Sequence, residues 1–201
     1  MEQRRGTLRE RKRRAVQDDV AAIAAGLFVA NGYEATTVEQ IATASGLSPR
    51  TFFRYFANKE SVVSHMFEVT GVDIADALMN RPSNEEPWLA LRRSFDKLVQ
   101  QLTELPESLP LNRMIYTTPS LYAGQLHKQV SWNKTIAEAL APRLPRTLNA
   151  DERRLHAGAL ASAAIACLEY ARSEWAAGNG KSAMATLVDT AMSAVSPLFK
   201  Q

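Results

Sequence analysis

Apolar residues recur along this chain three and four positions apart, the spacing of one face of an α-helix. Val16, Val20, Ile23 and Leu27 form the first stripe, with Ala24 and Phe28 beside it. Asn31 and Gly32 follow, and glycine tolerates the left-handed backbone of a C-terminal cap. A shorter stripe, Val38, Ile41 and Ala42, comes after Thr37, with Gln40 three residues beyond that threonine. Thr and Gln at this spacing make a capping box, so a second helix is expected from residue 38 to 45, ended by Gly46. Ser48 caps a third helix over residues 49–56, and Pro49 takes its first position, where a missing N–H costs nothing. Leu47 and Phe52 hold the two positions of a hydrophobic staple. Phe53 and Phe56 are further core candidates.

The pattern continues to the end of the chain. Asn58 is expected to cap a fourth helix running to about Met79, with Val62, Val63, Met66 and Phe67 inward. Residues 82–87 read as a loop. Trp88, Leu91, Phe95, Leu98 and Leu102 fit one helical face, and Pro106 and Pro110 are expected to break the chain. A short helix over residues 111–117 and a longer one over 120–141 follow. Asp151 is expected to cap a long helix to about Ala177, stopped by Gly178-Asn179-Gly180, and Ser182 a last helix to about Val195. The chain is therefore expected to be all-α, with about nine helices, the first three forming a small unit of their own.

Composition agrees. Of 201 residues 46% are apolar and 22% charged, which is globular, and alanine is abundant after Ala150. Cys167 is the one cysteine, so no internal disulfide can form. Residues 155–168 are uncharged, but fourteen residues fall short of the roughly 20 needed to span a bilayer. The basic N-terminus leads into no apolar run, so a secretory signal is not expected, and a cytoplasmic location is. Net charge is only +3, but residues 1–14 hold seven Lys/Arg against two Asp/Glu. That excess favours a polyanionic partner, nucleic acid or anionic membrane.

Two short helices joined by Gly46-Leu47-Ser48 make a helix-turn-helix pattern. The major groove admits one α-helix, and a second helix must brace it. Pro49, Arg50, Thr51, Arg54 and Tyr55 are available to face outward. Arg50 and Arg54 share a face at a spacing of four, and each can reach guanine O6/N7 or a phosphate. Thr51 can meet a thymine methyl or a phosphate. Thr37 and Ser48 stand at helix N-termini, where free N–H groups favour phosphate.

Residues 27–63 resemble the DNA-binding domain of the tetracycline-repressor (TetR) family. The matching pieces are L-F-x-x-x-G-Y, then T-x-x-x-I-A, then G-L-S, then T-F-F-x-Y-F-x-N-K-E. The resemblance covers residues 15–65. It implies a basic arm over residues 1–14, a helix-turn-helix domain over 15–58, and a helical regulatory and dimerisation domain over 59–201. It places contacts with double-stranded DNA on Thr37, Ser48, Pro49, Arg50, Thr51, Phe53, Arg54, Tyr55 and Lys59, with Arg13 and Arg14 of the arm added. Phe53 departs from the family, which often has a tyrosine there whose hydroxyl meets phosphate; Tyr55 is an alternative donor. The arm can enter a minor groove or lie along the backbone, and the sequence leaves both open.

The same resemblance implies a homodimer built on the last two long helices. Leu160, Ala164, Leu168, Leu187, Val188 and Met192 are the expected contacts, within a helix rich in small residues. It further implies a regulator, a repressor of an inverted-repeat operator, released by a small hydrophobic effector. The linking helix over residues 59–79 would couple effector to DNA head. Phe95, Met114, Tyr116, Tyr122, Trp132, Cys167 and Tyr170 are the candidate pocket lining. Taken singly, each of them more often fills a core than lines a pocket.

Other classes fare worse. His65, His127 and His156 are scattered without metal-ligand spacing, and no nucleophile elbow, P-loop or dinucleotide loop occurs. No enzyme, cofactor or metal is expected. Two alternatives remain: a membrane-surface role for the basic arm, and the same fold acting as an activator, which the sequence does not separate from a repressor.

Overall fold

The computed structural model describes residues 7–66, 70–104 and 107–196, and among these every regular element is helical. The chain divides between residues 68 and 69 into two compact units. The expected boundary after residue 58 differs because the fourth helix packs on the first.

The first unit holds α1 (Leu8–Asn31), α2 (Val38–Ala44), α3 (Pro49–Tyr55) and α4 (Lys59–Met66). The capping box of Thr37 and Gln40 starts α2, and the Ser48 hydroxyl with Pro49 starts α3. Gly32 and Gly46 both take positive φ, as their turns require. Asn58 Oδ1 accepts from the Ser61 N–H at 2.8 Å and opens α4. Val20, Ala24, Phe28, Ile41, Phe52, Phe56, Val62 and Val63 form the core. Burying a side chain such as Phe52 contributes about 2–3 kcal/mol. Across α1 and α4, His65 Nε2 lies 2.7 Å from Asp18 Oδ1. Phe53 is not a core residue: it is 54% exposed, because Phe52 and Phe56 claim the inner face.

The second unit holds α5 (Thr70–Met79), α6 (Pro87–Ser94), α7 (Asp96–Glu104), α8 (Ser108–Thr117), α9 (Pro119–Leu140), a 3-10 turn (Ala141–Arg143), α10 (Ala150–Ala177) and α11 (Met184–Val195). The helix expected from Asn58 to Met79 thus falls on α4 and α5. Helix α9 packs between α5 and α10, and α10 packs on α11. Gly71 permits the first contact: a Cβ built there would stand 2.3 Å from Trp132 Cδ1. Arg143 closes the end of α5, donating to the carbonyls of Leu78, Arg81 and Pro82 at 2.5–2.7 Å.

Four local expectations are corrected. The face from Trp88 to Leu102 is two helices meeting at Phe95, where the buried Ser94 hydroxyl donates to the Leu91 carbonyl at 2.7 Å. A hydroxyl bonded back into its own helix competes with the regular ladder. Pro110 lies inside the first turn of α8, where N–H groups have no intrahelical partner anyway. Asn149, not Asp151, caps α10, in a reciprocal box with Glu152. Ser182 does not cap α11; Ala183 precedes it, and burial of Met184, Val188 and Met192 at spacing four sets the register.

Two expectations follow. Gly71→Ala forces a methyl into a rigid indole and should cost about 1–3 kcal/mol, read as a lowered urea midpoint. Hydrogen bonds from Arg81, and then from Arg93, hold the Glu85 carboxyl down at about 2. That stability is complete above the ordinary carboxylate value of ~4.3 and is lost as pH falls through about 2. Urea midpoints of the wild type and Glu85→Gln should therefore differ most above pH ~4.5 and converge toward pH ~2.

Candidate DNA-binding surface

Helix α3 has two unlike sides. Phe52 and Phe56 at its end are buried, while Pro49, Arg50, Phe53 and Arg54 face solvent and Thr51 and Tyr55 are half-buried. Among the described residues Arg50 makes no hydrogen bond or ion pair, which leaves its guanidinium fork available. Arg54 Nη2 donates to the Tyr55 hydroxyl at 3.3 Å, and its guanidinium lies 5.2 Å from that ring's centre. The pair forms a positive, planar platform at the end of α3.

Hydroxyls mark the helix starts. Ser48 Oγ accepts from the Thr51 N–H and stands 2.9 Å from Thr51 Oγ1. Thr37 Oγ1 accepts from the Gln40 N–H at 3.2 Å, and its own O–H remains a donor. Both residues are exposed. At the other end of α3, Arg13 Nη2 donates to the Arg54 carbonyl at 3.4 Å and Gln17 Nε2 to the Tyr55 carbonyl at 3.1 Å. Arg14 follows Arg13 on α1 and is exposed.

Lys59 departs from its expected role. Its ammonium donates to the carbonyls of Tyr33, Glu34 and Thr36 at 2.8, 3.4 and 3.4 Å. It also lies 4.2 Å from the Tyr33 ring centre and 3.7 Å from Glu34 Oε2, and its side chain is only 19% exposed. Three donors meet three acceptors, so Lys59 clamps the loop between α1 and α2 instead of offering a free charge to phosphate.

The geometry matches a known group of proteins. A profile of bacterial regulatory proteins of the tetR family matches residues 22–66, and a profile of the MftR C-terminal domain matches residues 85–200. The chain belongs to the tetR family. Its relatives are transcriptional regulators and not enzymes, and it is a DNA-binding regulator of that kind. It is 35% identical over 155 residues to the HTH-type transcriptional regulator TcmR of Streptomyces glaucescens, across 73% of this chain and 68% of TcmR. The fold also resembles the fatty acid degradation regulator FadR of Bacillus halodurans, with a TM-score of 0.61, 18% identity and coverage of 89% and 93%. Thermus thermophilus FadR, a repressor in complex with lauroyl-CoA, gives 0.56, 21%, and 88% and 91%.

In this tetR-family regulator the seven candidate pocket residues do not converge. Tyr116 and Tyr122 come together, with ring centres 5.9 Å apart. Phe95 is buried at the α6–α7 junction, Trp132 faces Gly71, and Cys167 Sγ turns to the Ala191 carbonyl of α11. Met114 is half-buried and Tyr170 is exposed. A cleft lined by Asp73, Ile74, Ser94, Lys97, Leu98 and Gln101 contains none of them.

The dimer candidates need a similar correction. Ala164, Leu168, Val188 and Met192 are buried within the single chain, and Leu160 and Leu187 are half-buried. The side of α10 left outside is Leu155, Ala159, Ser162, Ala166 and Tyr170.

A polar cluster was not visible in the sequence. Arg172, 1% exposed, donates through Nη1 to Glu169 at 2.7 Å and through Nε and Nη2 to Asn112 Oδ1. Gln125 and the Tyr116 hydroxyl also donate to Glu169. Burial is the main reason the Tyr116 phenol is pushed up. Spacing three on one helix puts Glu169 under Arg172, but an alanine-rich stripe gives no cue to their burial.

One substitution separates the two roles of Lys59. Lys59→Met should lower stability by about 2 kcal/mol in urea titration. The dependence of DNA affinity on salt should stay at the wild-type slope.

Proposed function

We propose that this regulator is a repressor that binds an inverted-repeat operator as a homodimer and is released by a small hydrophobic effector. The observation that carries the operator reading is the solvent-facing set Arg50, Phe53 and Arg54 on a helix whose other side is buried. Arg50 and Arg54 take guanine edges, and Phe53 takes a thymine methyl where a tyrosine hydroxyl would have taken phosphate. Thr37, Ser48, Thr51, Tyr55 and Arg13 hold phosphates around them, with Pro49 and Arg14 at the margin.

The dimer forms through the outward side of α10. Leu155 is 70% and Tyr170 66% exposed, with only small uncharged residues between them on that side. Exposed apolar area of this kind favours a protein partner. Two-fold pairing sets two recognition helices about one DNA turn apart. The effector site adjoins Tyr116 and Tyr122, next to the buried polar cluster. The bound lauroyl-CoA of T. thermophilus FadR supports a ligand with a long apolar part. Effector binding shifts the population between operator-binding and released states. On this reading the protein works in the cytoplasm, free of membrane, where its DNA is. Among the described residues no helix is long and apolar enough to cross a membrane.

Selection of duplexes from a random pool at fixed salt should enrich an inverted repeat, and light scattering should give a dimer. Arg50→Ala or Arg54→Ala should then cost about 1–3 kcal/mol on that repeat and relax its preference at one position. A folded monomer, or a dimer enriching no repeat, overturns the reading. Effectors are screened by release of the selected duplex.

A further inference from the structure

We propose that the first two turns of α1 grip the DNA phosphate backbone as a helix, beside the end of the recognition helix, and do not enter the minor groove. The proposal rests on the reading that α3 lies in the major groove.

Residues 8–14, expected from sequence to lie in an arm that turns helical toward its end, are helical throughout. A reciprocal box fixes the start: Thr7 Oγ1 accepts from the Glu10 N–H at 3.2 Å, and Glu10 Oε2 accepts from the Thr7 N–H at 2.6 Å. A helix is about 10–12 Å across with its side chains, and the minor groove of B-DNA is about 6 Å wide. This segment is therefore too thick for the groove that an extended arm could enter.

The segment also projects. Every residue from 8 to 15 is exposed, and burial along α1 begins at Val20. Arg9, Arg11, Lys12, Arg13 and Arg14 face a single acid, Glu10. Positive charges three and four apart on one helix repel, so the bare turn is held under electrostatic load. Phosphates relieve that load and release their counterions on binding.

Position completes the argument. Arg9, Lys12 and Arg13 continue the side of α1 that carries Val16 and Val20, by their spacing of three and four. Arg13 and Gln17 reach the carbonyls of Arg54 and Tyr55, so this side abuts the C-terminal end of α3. The hydroxyls of Ser48 and Thr51 stand at the other end. At ~1.5 Å per residue α3 is about 10 Å long, close to the ~12 Å width of the major groove. A helix of that length carries anchors to both phosphate walls, hydroxyls at one and Arg9 and Lys12 at the other.

The test is the double substitution Arg9→Ala and Lys12→Ala in the full chain, on a duplex selected with the wild type. Alanine is the best helix former, so α1 keeps its shape. The slope of log affinity against log salt should become shallower by about two, at ~0.9 per phosphate lost. The loss should be equal on flanks carrying G·C pairs or inosine·cytosine pairs, which differ only in the minor groove. An unchanged slope, or a loss that differs between the two flanks, overturns the proposal. A folded wild type that selects no duplex overturns the reading of α3 beneath it.

Discussion

A seven-residue helix cannot hold its own shape in water, and α3 is seven residues long. Everything the DNA-binding unit does depends on how α3 is held from outside. Phe52 anchors its middle in the core, Ser48 and Pro49 fix its start, and Arg13 and Gln17 take the carbonyls at its end. Each tie leaves the opposite face untouched. Arg50 and Arg54 can therefore present their donors with the backbone already in place, which limits the entropy lost on binding.

Lys59 belongs to the same scheme, one layer further in. By joining three carbonyls of the α1–α2 loop it sets where α2 begins, and α2 braces α3. A motif residue adjoining a recognition helix invites a reading as a phosphate contact. Here its charge is used to satisfy backbone groups that the turn leaves without helical partners. The second unit does something comparable with Arg172, whose guanidinium joins α8 to α10 through Asn112 and Glu169. A buried pair of this kind is a poor source of net stability compared with apolar residues. It does fix one arrangement of helices, since any slip would strand a charge.

The first unit was legible in the sequence because its signals are local. Thr37 with Gln40, Ser48 with Pro49, and Gly46 each determine a cap or turn within four residues, and the structure has all three. The apolar pattern puts Phe53 inside, but three phenylalanines within five positions cannot all face inward, and only the family resemblance places this one outward. The second unit was legible as helices but not as a site. Size and apolar character mark its candidate pocket and dimer residues, and a packed core has the same marks. Burial of Ala164, Leu168, Val188 and Met192 inside one chain depends on α11 folding back onto α10, a long-range pairing with no local sign. The early start of α1 was written in Thr7 and Glu10, a box masked by the run of arginines that follows.

The contact between Gly71 and Trp132 has an optical consequence. With no side chain at Gly71, the indole lies against the backbone of α5, shielded from water. Peptide dipoles at that distance influence the excited state of the ring. Sliding of α5 along α9 would change those dipoles and the access of solvent together. With Trp88 and Trp175 replaced, the emission of Trp132 would therefore report on the helix that opens the second unit, with no dye attached.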